Sequence, residues 1–120
     1  MKLRIQGNSI RFRLSQSEVS SFGQAGSCES EIEFPNGESL IYRLVSSSDF
    51  RSGLINNTLT LLLPSELVQR WVNTEEVGIS TELNLDNGKK LSILVEKDFQ
   101  CLTERGDDES DLFPNPKESH

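Results

Sequence analysis

Apolar and polar residues alternate over Ser9-Ile10-Arg11-Phe12-Arg13-Leu14, and again over Thr58-Leu59-Thr60-Leu61-Leu62-Leu63. Alternation sends successive side chains to opposite faces, so both stretches predict half-buried strands, with Ile10, Phe12, Leu14 and Leu59, Leu61, Leu63 facing inward. The period then lengthens to that of a short amphipathic helix, over 15–22 in the first case and 65–72 in the second. Ser15 and Glu18 have the spacing of a capping box, and Pro64 stands where a helix start tolerates a missing N–H. Val19 with Phe22, and Val68 with Trp71, are spaced i, i+3, which places each pair on one buried helical face.

A strand, a tight turn and another strand follow each helix. The predicted spans are 28–34 and 39–45 about Pro35-Asn36-Gly37, then 77–85 and 90–96 about Asp86-Asn87-Gly88. Asn-Gly is a strong hairpin signal, because both residues accept positive φ. Leu3 and Ile5 mark an opening strand that turns at Gly7-Asn8, and a weaker one at 50–55 turns at Asn56-Asn57. The pattern predicts a mainly β fold made of two ββαββ repeats, 1–45 and 50–96, in a single domain over 1–99. Beyond it, 100–120 has the composition of an acidic flexible tail.

Charge sharpens this picture. The net charge is −7, but residues 96–120 hold eight acids against three bases, or −5, while the first 17 residues hold Lys2, Arg4, Arg11 and Arg13 and no acid. The N-terminal hairpin is a local basic patch on an acidic protein. No apolar run reaches the roughly 18 residues a membrane helix needs, and the N-terminus alternates where a signal peptide is continuously apolar. A cytoplasmic domain with reduced Cys28 and Cys101 is the expectation, with no membrane, cofactor or metal. The only histidine is His120, which leaves no imidazole for a folded active site, so the chain reads as a binding domain and not as an enzyme.

Two stretches resemble the swapped-hairpin domain of AbrB-type regulators and MazE-type antitoxins. Leu3-Arg4-Ile5-Gln6-Gly7-Asn8-Ser9-Ile10-Arg11-Phe12 looks like the opening hairpin of that family, and Leu61-Leu62-Leu63-Pro64-Ser65-Glu66-Leu67 like its strand, proline and helix start. The likeness covers 1–96 as two tandem copies. It implies one small barrel built as a pseudo-dimer within a monomer. The whole chain, including Glu96-Lys97-Asp98-Phe99 and Phe113-Pro114-Asn115-Pro116, also resembles a family of small uncharacterised bacterial proteins.

The AbrB/MazE likeness implies that Lys2, Arg4, Asn8, Arg11 and Arg13 contact DNA or a partner. Two departures weigh against DNA: Ser15 replaces the family's usual proline, and Thr60 and Leu62 stand where a symmetric basic surface needs cations. The competing expectation is that the patch docks the chain's own acids, such as Glu29, Glu31 and Glu33. Asp107, Asp108, Glu109 and Asp111, followed by the apolar anchors Leu112 and Phe113, form a linear motif for a protein partner, as antitoxin tails do on their toxins. The sequence thus predicts a regulator or adaptor acting by protein or DNA contacts. The alternative is a small-ligand binder or enzyme with its site in a barrel cleft.

Overall fold

A computed structural model of the chain describes residues 1–99 and 110–114. Within them eight strands and two helices follow in the predicted order: β1 (Lys2–Gln6), β2 (Ser9–Leu14), α1 (Gln16–Ala25), β3 (Ser27–Glu33), β4 (Ser39–Ser47), β5 (Arg51–Ile55), β6 (Thr58–Pro64), α2 (Ser65–Asn73), β7 (Gly78–Asn84) and β8 (Lys90–Lys97). Glu18 starts α1 by accepting the Ser15 N–H at 2.9 Å, one arm of a capping box. Gly26 ends it at φ 81°, its N–H bonded to the Phe22 carbonyl at 2.9 Å. That left-handed conformation suits glycine because it lacks Cβ.

The hairpin turns depart from the expectation that both residues of Asn-Gly adopt positive φ. Only Gly37 and Gly88 do, at 86° and 83°. Each closes a three-residue loop in which Phe34 N–H donates to the Glu38 carbonyl, and Leu85 N–H to the Lys89 carbonyl, both at 2.8 Å. The asparagines act through their side chains: Asn36 Oδ1 accepts the Glu38 N–H at 3.1 Å and Asn87 Oδ1 the Lys89 N–H at 3.0 Å. A turn with a left-handed glycine in third place fits a longer loop, and the asparagine side chain stabilises it as an Asx turn. The two-residue turn with positive φ at both positions is Asn56-Asn57, at 51° and 61°.

The strands form two four-stranded sheets, ordered β1-β2-β8-β7 and β3-β4-β6-β5. Each sheet joins a hairpin from one half of the chain to a hairpin from the other, through a central parallel pair. Phe12 stands beside Val95 and Ile10 beside Ile93 in the first sheet, while Leu61 stands beside Leu44 and Leu59 beside Tyr42 in the second. Among the described residues the two sheets remain separate, so the closed barrel that the family likeness implied is not what the strands build. Edge strands β1 and β3 carry the ionic rows Lys2/Arg4 and Glu29/Glu31/Glu33, which discourage further pairing.

One core joins the sheets and helices: Phe12, Leu14, Val19, Phe22, Leu44, Leu61, Leu63, Val68, Trp71, Ile79, Ile93 and Val95. Phe22 and Trp71, the predicted inward residues of the two helices, are fully buried. The helices touch where Gly23 meets Val72; a Cβ at Gly23 would lie 2.8 Å from Val72 Cγ1, so the missing side chain permits the approach. Trp71 also satisfies its indole N–H by donating to the Val77 carbonyl at 2.9 Å.

Ser110–Pro114, within the acidic tail expected over 100–120, lies against the domain, with Leu112 buried and the Phe113 N–H bonded to the Asp98 carbonyl at 2.9 Å. The segment finds partners that composition alone does not reveal.

Phe22→Ala and Trp71→Ala should each lower stability by about 3–5 kcal/mol, the usual result of emptying a buried aromatic site. Urea denaturation of the two variants checks this, and a loss below about 1 kcal/mol for either would contradict its place in the core.

Candidate interaction surfaces

Three surfaces bear on function. The first is the basic hairpin. Antiparallel pairing sets Lys2 opposite Arg13 and Arg4 opposite Arg11, so the four cations share the outer face of the first sheet as the alternation predicts. Parallel pairing then brings Glu96 beside Arg13. Glu96 Oε1 lies 2.7 Å from Arg13 Nε and 3.5 Å from Arg11 Nε. Lys2 Nζ lies 2.8 Å from Asp98 Oδ2, on a carboxylate that is almost fully buried. Arg4 makes no ion pair among the described residues; with Gln6, Ser9 and Arg11 it lines a shallow recess.

The acids that meet the hairpin are therefore Glu96 and Asp98. Glu29, Glu31 and Glu33 lie on β3, in the other sheet. Sequence reading missed Glu96 and Asp98 because only the β2–β8 pairing, which spans nearly the whole chain, brings them to the cations. Asn8 ties its turn to the sheet: Nδ2 donates to the Lys90 carbonyl at 2.7 Å, and its own carbonyl accepts the Ser92 N–H at 3.1 Å.

The second surface is the start of α1, where Ser110–Pro114 docks. Gln16 N–H donates to the Asp111 carbonyl at 2.8 Å and Ser17 N–H to Asp111 Oδ1 at 3.2 Å, while Ser17 Oγ donates to Asp111 Oδ2. A helix leaves its first N–H groups without partners inside the helix, and its dipole favours negative charge there. Asp111 meets both needs from a distance of 94 residues in sequence. Hydrogen bonds from the Ser17 and Ser15 side chains hold its carboxyl below the usual value of 3.8. Leu112 and Phe113 continue the contact: Gln16 Nε2 donates to the Leu112 carbonyl at 2.9 Å, the Phe113 ring lies 5.9 Å from that of Phe99, and Lys97 Nζ sits 5.4 Å from the Phe113 centroid.

Lys97 is itself buried. Its ammonium donates to the Thr74 carbonyl at 2.7 Å. Burial lowers its pKa, an effect that Glu75 and Glu76 oppose. Of the predicted tail motif, Asp111, Leu112 and Phe113 thus meet the chain's own domain, whereas Asp107, Asp108 and Glu109 lie outside the described residues, as does Cys101.

The third surface is apolar and lies at the turn end of both sheets, away from the helices. Ile5 is 63% exposed although it pairs with Ile10, and Leu54 is 68% exposed although it pairs with Leu59. Both project from the core-bearing face beyond the reach of the core. Ile32 and Phe34 are exposed at the turn end of the second sheet and Leu85 at that of the first. Phe34, Leu40 and Asn57 line an open hollow of about 570 Å³ there. Alternation assigns each residue to a face of its sheet and not the depth at which burial stops, so Ile5, expected to face inward, lies largely in water.

Chemistry is sparse by comparison. Burial, and secondarily the charge of Glu18, push the Cys28 thiol up to about 11, so it stays protonated near neutrality and is a weak nucleophile. Burial would raise Glu18 itself, but hydrogen bonds from the Met1 ammonium and from Ser15 outweigh it and hold the carboxyl low. Among the described residues no helix is long and apolar enough to cross a membrane.

A family model described as "Family of unknown function (DUF7009)" matches residues 1–117. No curated protein and no solved structure matches the chain.

Because the Asp111 carboxyl is held low, its contribution to stability is full above the ordinary carboxylate pKa near 3.8 and is lost as the pH falls through the lower folded value. Asp111→Asn should therefore lower the melting temperature at pH 7, with the gap from the parent closing in strong acid. Melting curves from pH 7 to pH 2 test this; a gap that does not change with pH would mean that the charge contributes nothing.

Proposed function

We propose that this chain, which belongs to the DUF7009 family of unknown function, is a non-enzymatic binding domain that acts through protein contacts. The observation that carries this reading is the exposed apolar end of the two sheets. Large apolar side chains on a core-bearing face lose favourable burial when left in water, and a contiguous group of them marks an interaction surface. Phe34, Pro35 and Leu40 line one hollow at the turn end of the second sheet, where Ile32 and Leu54 are also exposed, and Ile5 and Leu85 are exposed at the turn end of the first.

DNA is the weaker partner on the same physical grounds. Phosphate binding depends on cations free to displace counterions. Here Arg11 and Arg13 share Glu96, and Lys2 is held by Asp98. The chemical groups near a would-be catalytic thiol are equally unhelpful, since Cys28 is held protonated.

The same reading takes 1–45 and 50–96 as two copies of one ββαββ unit that exchange hairpins, in the manner of AbrB/MazE-like regulators or adaptors, with a single chain serving as a pseudo-dimer. Reciprocal sheet composition supports it, as do the matching registers of the central parallel pairs and the paired Asx turns at Asn36 and Asn87.

Phe34→Glu combined with Leu54→Glu should leave stability within about 0.5 kcal/mol, because both residues are exposed, while removing the proteins that the parent recovers from its source cell. Recovery of the same proteins by parent and variant would sink the turn-end surface. In parallel, the parent should fail to retard duplex DNA at about 50 mM salt, where phosphate contacts are still strong. Retardation that weakens steeply with added salt would restore the DNA reading.

A further inference from the structure

At the opposite end of the sheets, the start of α1 together with Lys97, Asp98 and Phe99 has the features of a peptide-binding site, and the chain's own segment occupies it. Three consecutive residues are read. The Asp111 carboxylate is taken by Ser17 through its backbone N–H and its hydroxyl. Leu112 is buried, with its carbonyl held by Gln16 Nε2. The Phe113 ring lies against Phe99 and the Lys97 ammonium.

The main chain of the segment is read as well. Its Asp111 carbonyl accepts the Gln16 N–H at 2.8 Å, its Phe113 N–H donates to the Asp98 carbonyl at 2.9 Å, and Phe113 forms a parallel bridge with Phe99. Backbone bonds that confer affinity, combined with side-chain subsites that confer selectivity, are the usual physics of extended-peptide recognition. Each of these bonds joins the segment to residues of the domain, through groups that a peptide in trans also carries.

We propose that this site binds an extended peptide with aspartate, a branched apolar residue and phenylalanine in succession, and that Asp111-Leu112-Phe113 is its resident, displaceable ligand. Each element has a physical reason. The helix terminus supplies the Ser17 N–H and positive potential for the carboxylate. The Lys97 ammonium faces a ring, which favours an aromatic third residue through its quadrupole. The buried position of Leu112 rewards an aliphatic side chain between them. This inference is independent of the turn-end surface, since the two lie at opposite ends of the sheets.

The test keeps the full chain and disables only its own ligand with Leu112→Asp, folding being checked by far-UV circular dichroism and Trp71 fluorescence. A fluorescent peptide of residues 109–115 should bind this variant and shift the Gln16 and Ser17 amide resonances, while binding the parent at least about tenfold more weakly because the resident segment competes. The same peptide with Asp111→Asn should bind the variant at least about tenfold more weakly, as expected for losing charge-assisted hydrogen bonds. If Leu112→Asp does not fold, Phe113→Ser replaces it in the same assay. Failure of the peptide to bind the folded variant overturns the proposal, and so does equal binding to variant and parent, which would place the peptide elsewhere.

Discussion

The parallel pairing of β2 with β8 is the contact on which most of the molecule depends. Parallel neighbours cannot be joined by a tight turn, so this pair forms only when the two ends of the domain meet. It seats Phe12 beside Val95 at the centre of the core and leaves Leu14 and Lys97 side by side at the helix end. The chain then continues to Asp98, whose N–H bonds to the Leu14 carbonyl at 2.9 Å and whose own carbonyl receives Phe113. Without that pair the first sheet would be two isolated hairpins, each marginal in water.

The same pairing decides the fate of the basic hairpin. Four cations on one exposed strand face have a strong local field when considered alone, but Glu96 arrives in register with Arg13 and within reach of Arg11. Partly exposed ion pairs of this kind contribute little to stability. Their effect on function is larger, because a guanidinium engaged with a carboxylate is less available to a phosphate. A local excess of charge is therefore a poor guide to a binding surface until its long-range neighbours are known.

At the two ends of the sheets the chain solves the problem of incomplete burial differently. The helix end is covered by α1, α2 and the segment around Leu112, whose aspartate also satisfies helix N–H groups that would otherwise be left to water. The turn ends have no such cover, and Ile5 and Leu54 project there from the edge strands β1 and β5, which hold no buried residue. The asymmetry leaves apolar side chains covered at one end and exposed at the other.

Nearly all the local structure was legible in the amino-acid order. Alternation located the strands, i, i+3 spacing identified Phe22 and Trp71 as the inward faces of the helices, and Gly and Asn marked the turns. These features rest on interactions among neighbours in sequence, where residue type and spacing suffice. Even there, the turn type at Asn36-Gly37 was misread, because a side-chain hydrogen bond to the Glu38 N–H competes with the backbone preference of the asparagine. Which hairpins share a sheet, which acids meet Arg11, Arg13 and Lys2, where burial stops along each strand, and that Asp111 caps a helix 94 residues away were decided by the tertiary structure. Each depends on packing between segments far apart in sequence, whose free energy belongs to the assembled fold and has no counterpart in any short stretch of the chain.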